Sequence, residues 1–318
     1  MLVLHHAWRS SASRRVRLCL EEKGLAYESH PVDLAKLEQH SPEYLKINPN
    51  GVIPTLVHDG RALYESGTIC EYLDEVFPEP PLRPADAWGR AEMRNWIRYA
   101  DERIINLVIF NWRHDLQKVA EKWSDEELAE RLKKVPSRER REAWMRVARR
   151  PYTEEERAEA RGRLVEMLDR MEKSLAISPW LLGARYTIAD IAQVPFVKRI
   201  DEEIAPDEMQ PGRHPRVAAW WKAIQARPAF TRAKIGRKAK AFTLAIAIVL
   251  FIFQDAILRA ALKLAASDNY FLLLAVKMAI IFSLSPINRA IERHLLKRVM
   301  GTGRPMAVGA PAPDVAVS

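Results

Sequence analysis

The spacing of hydrophobic positions along the first 77 residues alternates between the period of a strand and that of a helix. In chain order, the pattern predicts a strand at 2–5, a helix at 13–23, a strand at 27–32, a helix at 41–47, strands at 54–58 and 62–64, and a helix at 66–77. Asp59-Gly60, between the last two strands, is typical of a two-residue hairpin loop. This order predicts a compact α/β domain with a four-stranded mixed sheet.

A proline-rich segment separates this region from a longer helical one. Residues 79–85 contain prolines that a helix interior does not tolerate, so we predict a stiff linker. Helical spacing then continues to residue 233, with predicted helices at 87–122, 153–175, 188–200 and 216–225. A strongly charged insertion at 124–150 interrupts the series. Its composition favours a solvated helical excursion over a binding element.

The last part of the chain differs from the rest in hydropathy and in charge. Two apolar runs, 241–253 and 270–282, are flanked by basic residues, and each is shorter than the ~20 residues that a membrane span needs. Residues 231–318 hold 13 Lys+Arg against 4 Asp+Glu and so account for the whole net charge of +9. We therefore predict an apolar, basic helical tail at 234–300. Association with a membrane surface is favoured over packing on the chain's own helices or between two copies. Residues 301–318 are predicted to be disordered.

The charge distribution and the cysteines limit the class of protein further. A basic surface for nucleic acid is not indicated, because residues 1–230 carry equal numbers of acidic and basic side chains. Cys19 and Cys70 fall at apolar positions of predicted helices and are interpreted as core residues. No spacing suggests a metal cluster, and the first residues lack the pattern of a secretory signal, so we expect a cytoplasmic protein.

Three serines, Ser10, Ser11 and Ser13, follow the first predicted strand and lie where the first predicted helix begins. Free N–H groups at a helix start favour an anion, and a thiolate held there has a lowered pKa. A hydroxyl that donates to the sulfur would stabilise the thiolate further. Serines at this position can also act only as helix caps, which the residues alone favour.

Pro54 opens the third predicted strand in the segment Val52-Ile53-Pro54. A proline cannot donate to a sheet, so it lies either at a sheet edge or in a cis turn, and the residues alone favour the edge. A cis bond would turn the backbone of Ile53 outward, where it could pair with an extended peptide.

Glu65 and Ser66 lie at the start of the last helix of the α/β region. A capping hydroxyl and free N–H groups can hold a carboxylate there, and Glu65 can pair with an ammonium group. Together with the serines and Val52-Ile53-Pro54, they fit a short peptide with a central thiol and an α-amino acid at one end. Glutathione has this structure.

These motifs resemble those of the glutathione transferase superfamily over residues 1–232. The serine cluster is similar to that of the Ser-type zeta and tau classes, and residues 52–56 and Glu65-Ser66 fall at family positions. Thr187 and Asp190, in the segment 186–191, resemble the family's helix-capping box. The resemblance implies a thioredoxin-like domain at 1–78, a linker at 79–85 and an all-helical acceptor-substrate domain at 86–233, followed by the apolar helical tail.

The resemblance also implies roles for particular residues. Ser10 aligns with the activating hydroxyl, while Ser11 and Ser13 stay open as alternatives. His40 falls where related proteins carry a lysine for the glycine carboxylate of glutathione, although a histidine is at most half charged near neutral pH. The other implied contacts with glutathione are Val52, Ile53, Pro54, Glu65 and Ser66, and those with the second substrate are Ile105, Ile109 and Trp112.

Further stretches, at 36–41, 69–73, 82–86 and 90–94, are similar to the bacterial β-etherases, which are glutathione transferases that cleave β-aryl ethers of lignin-derived compounds. The resemblance therefore implies a homodimeric enzyme that uses glutathione as co-substrate, without a metal, on an electrophile that can be an aromatic ether. The alternative is a non-catalytic or membrane-attached glutathione-binding scaffold of the same fold.

Overall fold

A computed structural model describes residues 1–111, 117–150, 152–210 and 212–235, with only the backbone of Asn111 and Val119. The described residues belong to one compact unit. Trp112 and the predicted tail from residue 236 onward, including both apolar runs and the predicted disorder at 301–318, lie outside them. Within the described ranges, no helix is long and apolar enough to cross a bilayer.

The N-terminal region contains the predicted four-stranded mixed sheet. Its strands are β1 (Leu2–His6), β2 (Glu28–Pro31), β3 (Thr55–His58) and β4 (Arg61–Tyr64), in the spatial order β2-β1-β3-β4. β1 runs parallel to β2 and antiparallel to β3, and β3 and β4 form a hairpin. Asp59 and Gly60 close the hairpin with φ of 48° and 79°, as a tight two-residue loop requires.

Three helices connect and cover the sheet: α1 (Ser11–Glu22), α2 (Pro42–Ile47) and α3 (Ser66–Val76). α1 links the parallel strands β1 and β2, and it packs beside α3. Cys19 and Cys70 are fully buried between α1 and α3, with free thiols, as expected for core residues. Hydrogen bonding to Cys70, together with burial, raises the pKa of the Cys19 thiol well above its usual range, so this thiol stays protonated.

The second region is helical, but the predicted single helix at 87–122 is wrong. The helices are α4 (Ala87–Asp101), α5 (Ile104–Asn111), α6 (Gln117–Ala120), α7 (Asp125–Lys133), α8 (Arg138–Arg149), α9 (Glu154–Ser174), α10 (Ile188–Arg199), α11 (Pro215–Ala226) and α12 (Pro228–Arg232). α4 ends because the N–H of Arg103 donates to the carbonyl of Ala100, three residues back, which tightens the last turn. The Arg103 guanidinium then lies over the ring of Tyr99, 3.4 Å from its centre.

The charged insertion is helical as predicted, but it is more than a solvated excursion. Its apolar residues form a separate small core, which we call the insertion cluster, and the N-terminal domain contributes Leu37 to it. The cluster consists of Leu37, Ala120, Leu128, Leu132, Val135, Trp144 and Ala148, with Trp123 packed against it. The many charges of α7 and α8 conceal this narrow apolar stripe, since its members recur only every four residues or so.

The predicted capping box at the start of α10 is present and lies in the core. Asp190 is fully buried and accepts four hydrogen bonds: from the N–H and hydroxyl of Thr187 at 3.0 and 3.2 Å, from the N–H of Leu181 at 3.1 Å and from Nε1 of Trp220 at 2.9 Å. Burial raises the pKa of Asp190 to about 6, although the four hydrogen bonds act in the opposite direction. The capping box therefore ties α10 to α11 as well as starting the helix.

Candidate functional site

The serine loop connects the end of β1 to the start of α1, and its three serines have different environments. Ser10 caps α1, because its Oγ accepts a hydrogen bond from the N–H of Ser13 at 3.2 Å. The hydroxyl of Ser13 is fully buried and accepts from the N–H of Ala7 at 3.3 Å. Ser11 Oγ is buried and has no partner among the described residues. The Ser10 hydroxyl is partly exposed and is the acceptor in its bond with Ser13, so its hydrogen is available to a ligand.

A buried arginine that the sequence analysis did not single out holds this loop in place. Arg17 donates through Nη1 to the carbonyl of Ala7 at 3.3 Å, through Nη2 to that of Trp8 at 3.2 Å and through Nε to that of Ala233 at 3.1 Å. Its Nη1 is also 3.2 Å from Nδ1 of His6. Burial and the Arg17 charge lower the pKa of His6 to about 3, so a neutral ring faces the guanidinium.

The Ile53–Pro54 peptide bond is cis, so the edge position favoured by the residues alone is wrong for Pro54. The turn is held by the carbonyl of Val52, which accepts from the Tyr44 hydroxyl at 2.6 Å and from Nδ2 of Asn48 at 2.8 Å. Neither the N–H nor the carbonyl of Ile53 has a hydrogen-bond partner within the part of the chain that the structure describes. This residue therefore presents an open backbone edge to an extended ligand.

At the start of α3, Glu65 and Ser66 lie beside an ion pair between a buried arginine and a half-exposed aspartate. Glu65 has φ of 68°, an uncommon left-handed conformation for a residue other than glycine, and its carboxylate is exposed. The buried hydroxyl of Ser66 accepts from Nη1 of Arg15 at 3.1 Å. The same nitrogen bonds Oδ1 of Asp101 at 2.5 Å. Arg15 and Asp101 were missed by the sequence analysis, because the contact joins two distant parts of the chain.

His40 is almost completely buried and lies against the turn at Asn50-Gly51, which precedes Ile53. Its Nδ1 has no hydrogen-bond partner among residues of the described ranges. Gly51, with φ of 59°, packs against the ring so closely that a Cβ there would lie 2.6 Å from Nδ1. Burial, together with the positive charge of Arg140, lowers the pKa of His40 to about 4. His40 is therefore neutral near pH 7, below the upper limit of half charge that the sequence indicates.

Arg140 comes from α8 of the insertion and contacts the same turn. Its Nη1 donates to the carbonyls of Asn50 at 2.5 Å and Gly51 at 3.3 Å. Burial lowers the pKa of Arg140, while the charges of Glu65 and Glu139 oppose that shift. The Arg140 guanidinium therefore interacts electrostatically with both His40 and Glu65.

Of the residues predicted to contact the second substrate, Trp112 lies outside the described ranges, and Ile105 and Ile109 of α5 have different environments. Ile109 is buried in the main core, whereas Ile105 is 51% exposed and lines a polar cavity of about 550 Å³. The other residues that line this cavity are Glu102, Arg103, Asn106, Glu159, Gly162, Arg163 and Glu166, none of which is a predicted glutathione contact. The acceptor site stays a prediction. In the described ranges, no group of three or more His, Cys, Asp or Glu side chains could hold a metal ion.

Comparison with known protein families identifies two matching regions. Residues 4–81 match the family model described as glutathione S-transferase, N-terminal domain, and residues 154–223 match that of the C-terminal domain. The interval between the two matches includes the insertion.

Individual proteins give a finer comparison. The chain is 38% identical over 216 residues to protein LigF of Sphingobium sp. strain NBRC 103272 / SYK-6, which covers 66% of this chain and 84% of that protein. It is 42% identical over 114 residues to a zeta-class glutathione S-transferase of Euphorbia esula, covering 35% of this chain and 51% of that protein. The crystal structure of β-etherase LigF from Sphingobium superposes with a TM-score of 0.68 at 36% identity, over 73% of this chain and 98% of that one.

Proposed function

Because the chain belongs to the glutathione S-transferase family and is an enzyme that uses glutathione as co-substrate, we propose that it transfers the glutathione thiol to an electrophilic carbon of an aromatic ether. The observation that carries this proposal is the open backbone of Ile53, in the turn that contains the cis bond to Pro54. An extended tripeptide can pair there as an added strand while its thiol and its amino-acid end reach α1 and α3.

Ser10 is the residue that we assign to the thiol. Its oxygen accepts the N–H of Ser13, so its hydrogen points to a different partner, and that partner can be the sulfur. The start of α1 adds a partial positive charge. Both effects favour the thiolate over the thiol and lower the pKa of the bound glutathione. Ser11 stays an alternative, since its buried oxygen has no described partner. The fully buried Ser13 instead accepts the N–H of Ala7 and stabilises the loop.

The start of α3 can bind the α-carboxylate and the ammonium group of the γ-glutamyl residue. Free N–H groups of the first turn and the Ser66 hydroxyl can donate to its carboxylate, because Ser66 uses its oxygen, not its hydrogen, toward Arg15. The exposed carboxylate of Glu65 can accept from its ammonium group. Val52 and Pro54 shape the turn between these two contacts.

The proposed reaction is a displacement at carbon. The thiolate sulfur forms a bond to the carbon that bears the aryl ether oxygen, the carbon–oxygen bond breaks, and the phenolate that leaves takes a proton from solvent. The chain contributes the acidity of the thiol and the position of the two reactants. The β-etherase name of the crystallised relative supports the choice of an ether.

A glutathione-dependent activity screen tests this proposal. Wild-type protein is incubated with glutathione and, separately, a β-aryl ether, a haloarene and a maleyl compound, and products are identified by mass spectrometry. We expect a glutathione adduct and a free phenol from the ether. Binding of glutathione without turnover of any of the three compounds would contradict the proposal and identify a scaffold protein.

We further propose that the enzyme is a cytoplasmic homodimer and that its tail attaches it to the inner face of a membrane. Support comes from the excess of basic residues around the two apolar runs at 241–253 and 270–282. We expect the full chain, but not a chain truncated after Arg237, to sediment with vesicles that contain anionic phosphatidylglycerol. Vesicles of neutral phosphatidylcholine serve as the control. Equal sedimentation of both chains with the vesicles would contradict membrane attachment. Light scattering tests the homodimer separately, by measuring the mass of the protein in solution.

A further inference from the structure

We propose that Arg140 of the insertion binds the glycine carboxylate of glutathione, so that α8 forms one wall of the glutathione site and positions the peptide. This inference rests on the proposed function, and it deepens that function by assigning a residue outside the thioredoxin-like domain. The insertion at 124–150 then has a role that neither its composition nor the two family models indicate.

The direction of a bound tripeptide follows from the residues on the two sides of Ile53. If the γ-glutamyl end lies at Glu65 and Ser66 and the cysteine pairs with Ile53, the glycine end continues toward the other side of Ile53. The wall on that side is formed by His40 and by the turn at Asn50-Gly51, which Arg140 contacts through both carbonyls. The glycine end of the peptide carries a carboxylate, so a donor set for an anion is needed at this wall.

The wall provides two complementary donors. His40 is more than nine-tenths buried, neutral, and has an Nδ1 without a partner in the described part of the chain, so it can donate a hydrogen bond but supplies no charge. Arg140 supplies a permanent positive charge beside it. A neutral donor next to a cation is suited to one carboxylate, whose two oxygens can take both bonds.

Arg140 has unused donors for such a ligand. Its guanidinium uses Nη1 for the two carbonyls, while its Nε and Nη2 make no hydrogen bond with described residues. It takes part in no ion pair within the described ranges, although it is half-buried. Arg138 and Arg149 on the same helix are different, since they pair with Glu142 and Asp125 at 2.7 and 2.8 Å. Arg141 of α8 also bonds only backbone carbonyls, those of Val135 and Pro136 in its own connection. Arg140 differs from it because its two carbonyls belong to the turn beside His40, where a bound anion would complete its bonding.

The insertion cluster fixes α8 relative to the loop that bears His40. Leu37 lies three residues before His40 and packs in the same apolar cluster as Trp144 and Ala148 of α8. The helix that carries Arg140 and the loop that carries His40 are therefore joined by a shared core. This arrangement holds the guanidinium in place before any ligand arrives, which lowers the entropic cost of binding.

The test compares two ligands and two variants of the full-length protein by calorimetry. The ligands are glutathione and its monoethyl ester at the glycine carboxyl, which removes only that negative charge. We expect wild-type protein to bind glutathione about tenfold more tightly than the ester, as for a charge-assisted bond to a partly buried arginine. R140Q should lose most of this preference by weakening glutathione alone. The matched control R138Q, on the exposed side of the same helix, should keep it.

Every outcome bears on the inference. It is overturned if wild-type protein binds both ligands equally, a result that needs no variant. The inference is also overturned if R140Q keeps the wild-type preference for glutathione over the ester. This includes the case in which R140Q binds both ligands more weakly by the same factor, which would indicate a purely structural role. If R140Q does not fold, R140K replaces it, and a reduced but measurable preference is expected because lysine keeps the charge and loses the planar fork. Wild-type protein that binds neither ligand would contradict the proposed function itself, which distinguishes the two failures.

Discussion

Replacing Ser10 with alanine is expected to lower glutathione-dependent turnover roughly 100-fold, the size of effect seen when one donor to a developing or resident anion is removed. The variant lacks the hydroxyl hydrogen that donates to the thiolate, so the pKa of the bound glutathione thiol should rise. Thiolate absorbance in the ultraviolet, followed against pH in the enzyme–glutathione complex, measures that pKa directly. The Michaelis constant for glutathione should change little, because the peptide is held mainly by its backbone and its two charged ends.

Ser10 also caps α1, so the alanine variant changes stability as well as chemistry. Losing a helix cap lowers the free energy of unfolding by about 1 kcal/mol. Ser10→Gly is the matched control, since glycine at the N-cap loses only a few tenths of a kcal/mol and has no side-chain donor. If Ser10→Gly kept wild-type turnover, or if Ser11→Ala alone reproduced the loss, the assignment of the thiol to Ser10 would be wrong.

The variant Asp190→Ala should have a free energy of unfolding lower by about 3–4 kcal/mol. The substitution leaves four buried donors, from Thr187, Leu181 and Trp220, without an acceptor. Each unsatisfied buried donor costs about 1–3 kcal/mol, and the carboxylate that no longer has to be buried offsets part of that cost. Urea denaturation monitored by tryptophan fluorescence gives the difference, since Trp220 is itself a partner of Asp190.

The pH dependence of this difference is a sharper test. The folded-state pKa of Asp190 is raised from 3.8 to about 6, so this group adds stability below its unfolded pKa and loses that contribution as the pH rises through about 6. The destabilisation by Asp190→Ala should therefore grow by roughly 1 kcal/mol as the pH falls from about 7.5 to about 5. Asp201→Ala is the control, because Asp201 is only partly buried and accepts one comparable bond, from Nε1 of Trp221 at 3.0 Å. A difference that shrank at acidic pH would contradict the raised pKa.

The features that could be predicted from the sequence are those that arise from neighbouring residues. The hairpin at Asp59-Gly60, the cap at Ser10 and the capping box at Thr187 and Asp190 are each set within four residues, and all of them are present. The order of strands and helices in the first domain follows from short-range hydrophobic spacing in the same way. For these elements, the local preference of the chain and the tertiary structure agree.

The features that could not be predicted depend on distant contacts. Arg15 meets Asp101 across 86 residues, and Arg140 meets Asn50 across 90, so no local pattern indicates either pair. Both arginines lie among other charged residues, where the composition favours exposure to solvent. The break after α4 was missed because the apolar spacing continues through it, while a single hydrogen bond to Ala100 ends the helix.

The bonds of Arg17 have a consequence for the way a new chain matures. One guanidinium joins the carbonyls of Ala7 and Trp8, in the loop that leads to Ser10, to the carbonyl of Ala233, 216 residues further along the chain from Arg17. A ribosome adds roughly 5–20 residues per second, so the first domain emerges on the order of ten seconds or more before Ala233 has been made. During that interval a nascent chain already carries Ile53, Glu65 and Ser66, but the loop beside Ser10 lacks its last anchor. Synthesis of the helical domain therefore completes the thiol-activating end of a site whose residues are among the first to be translated.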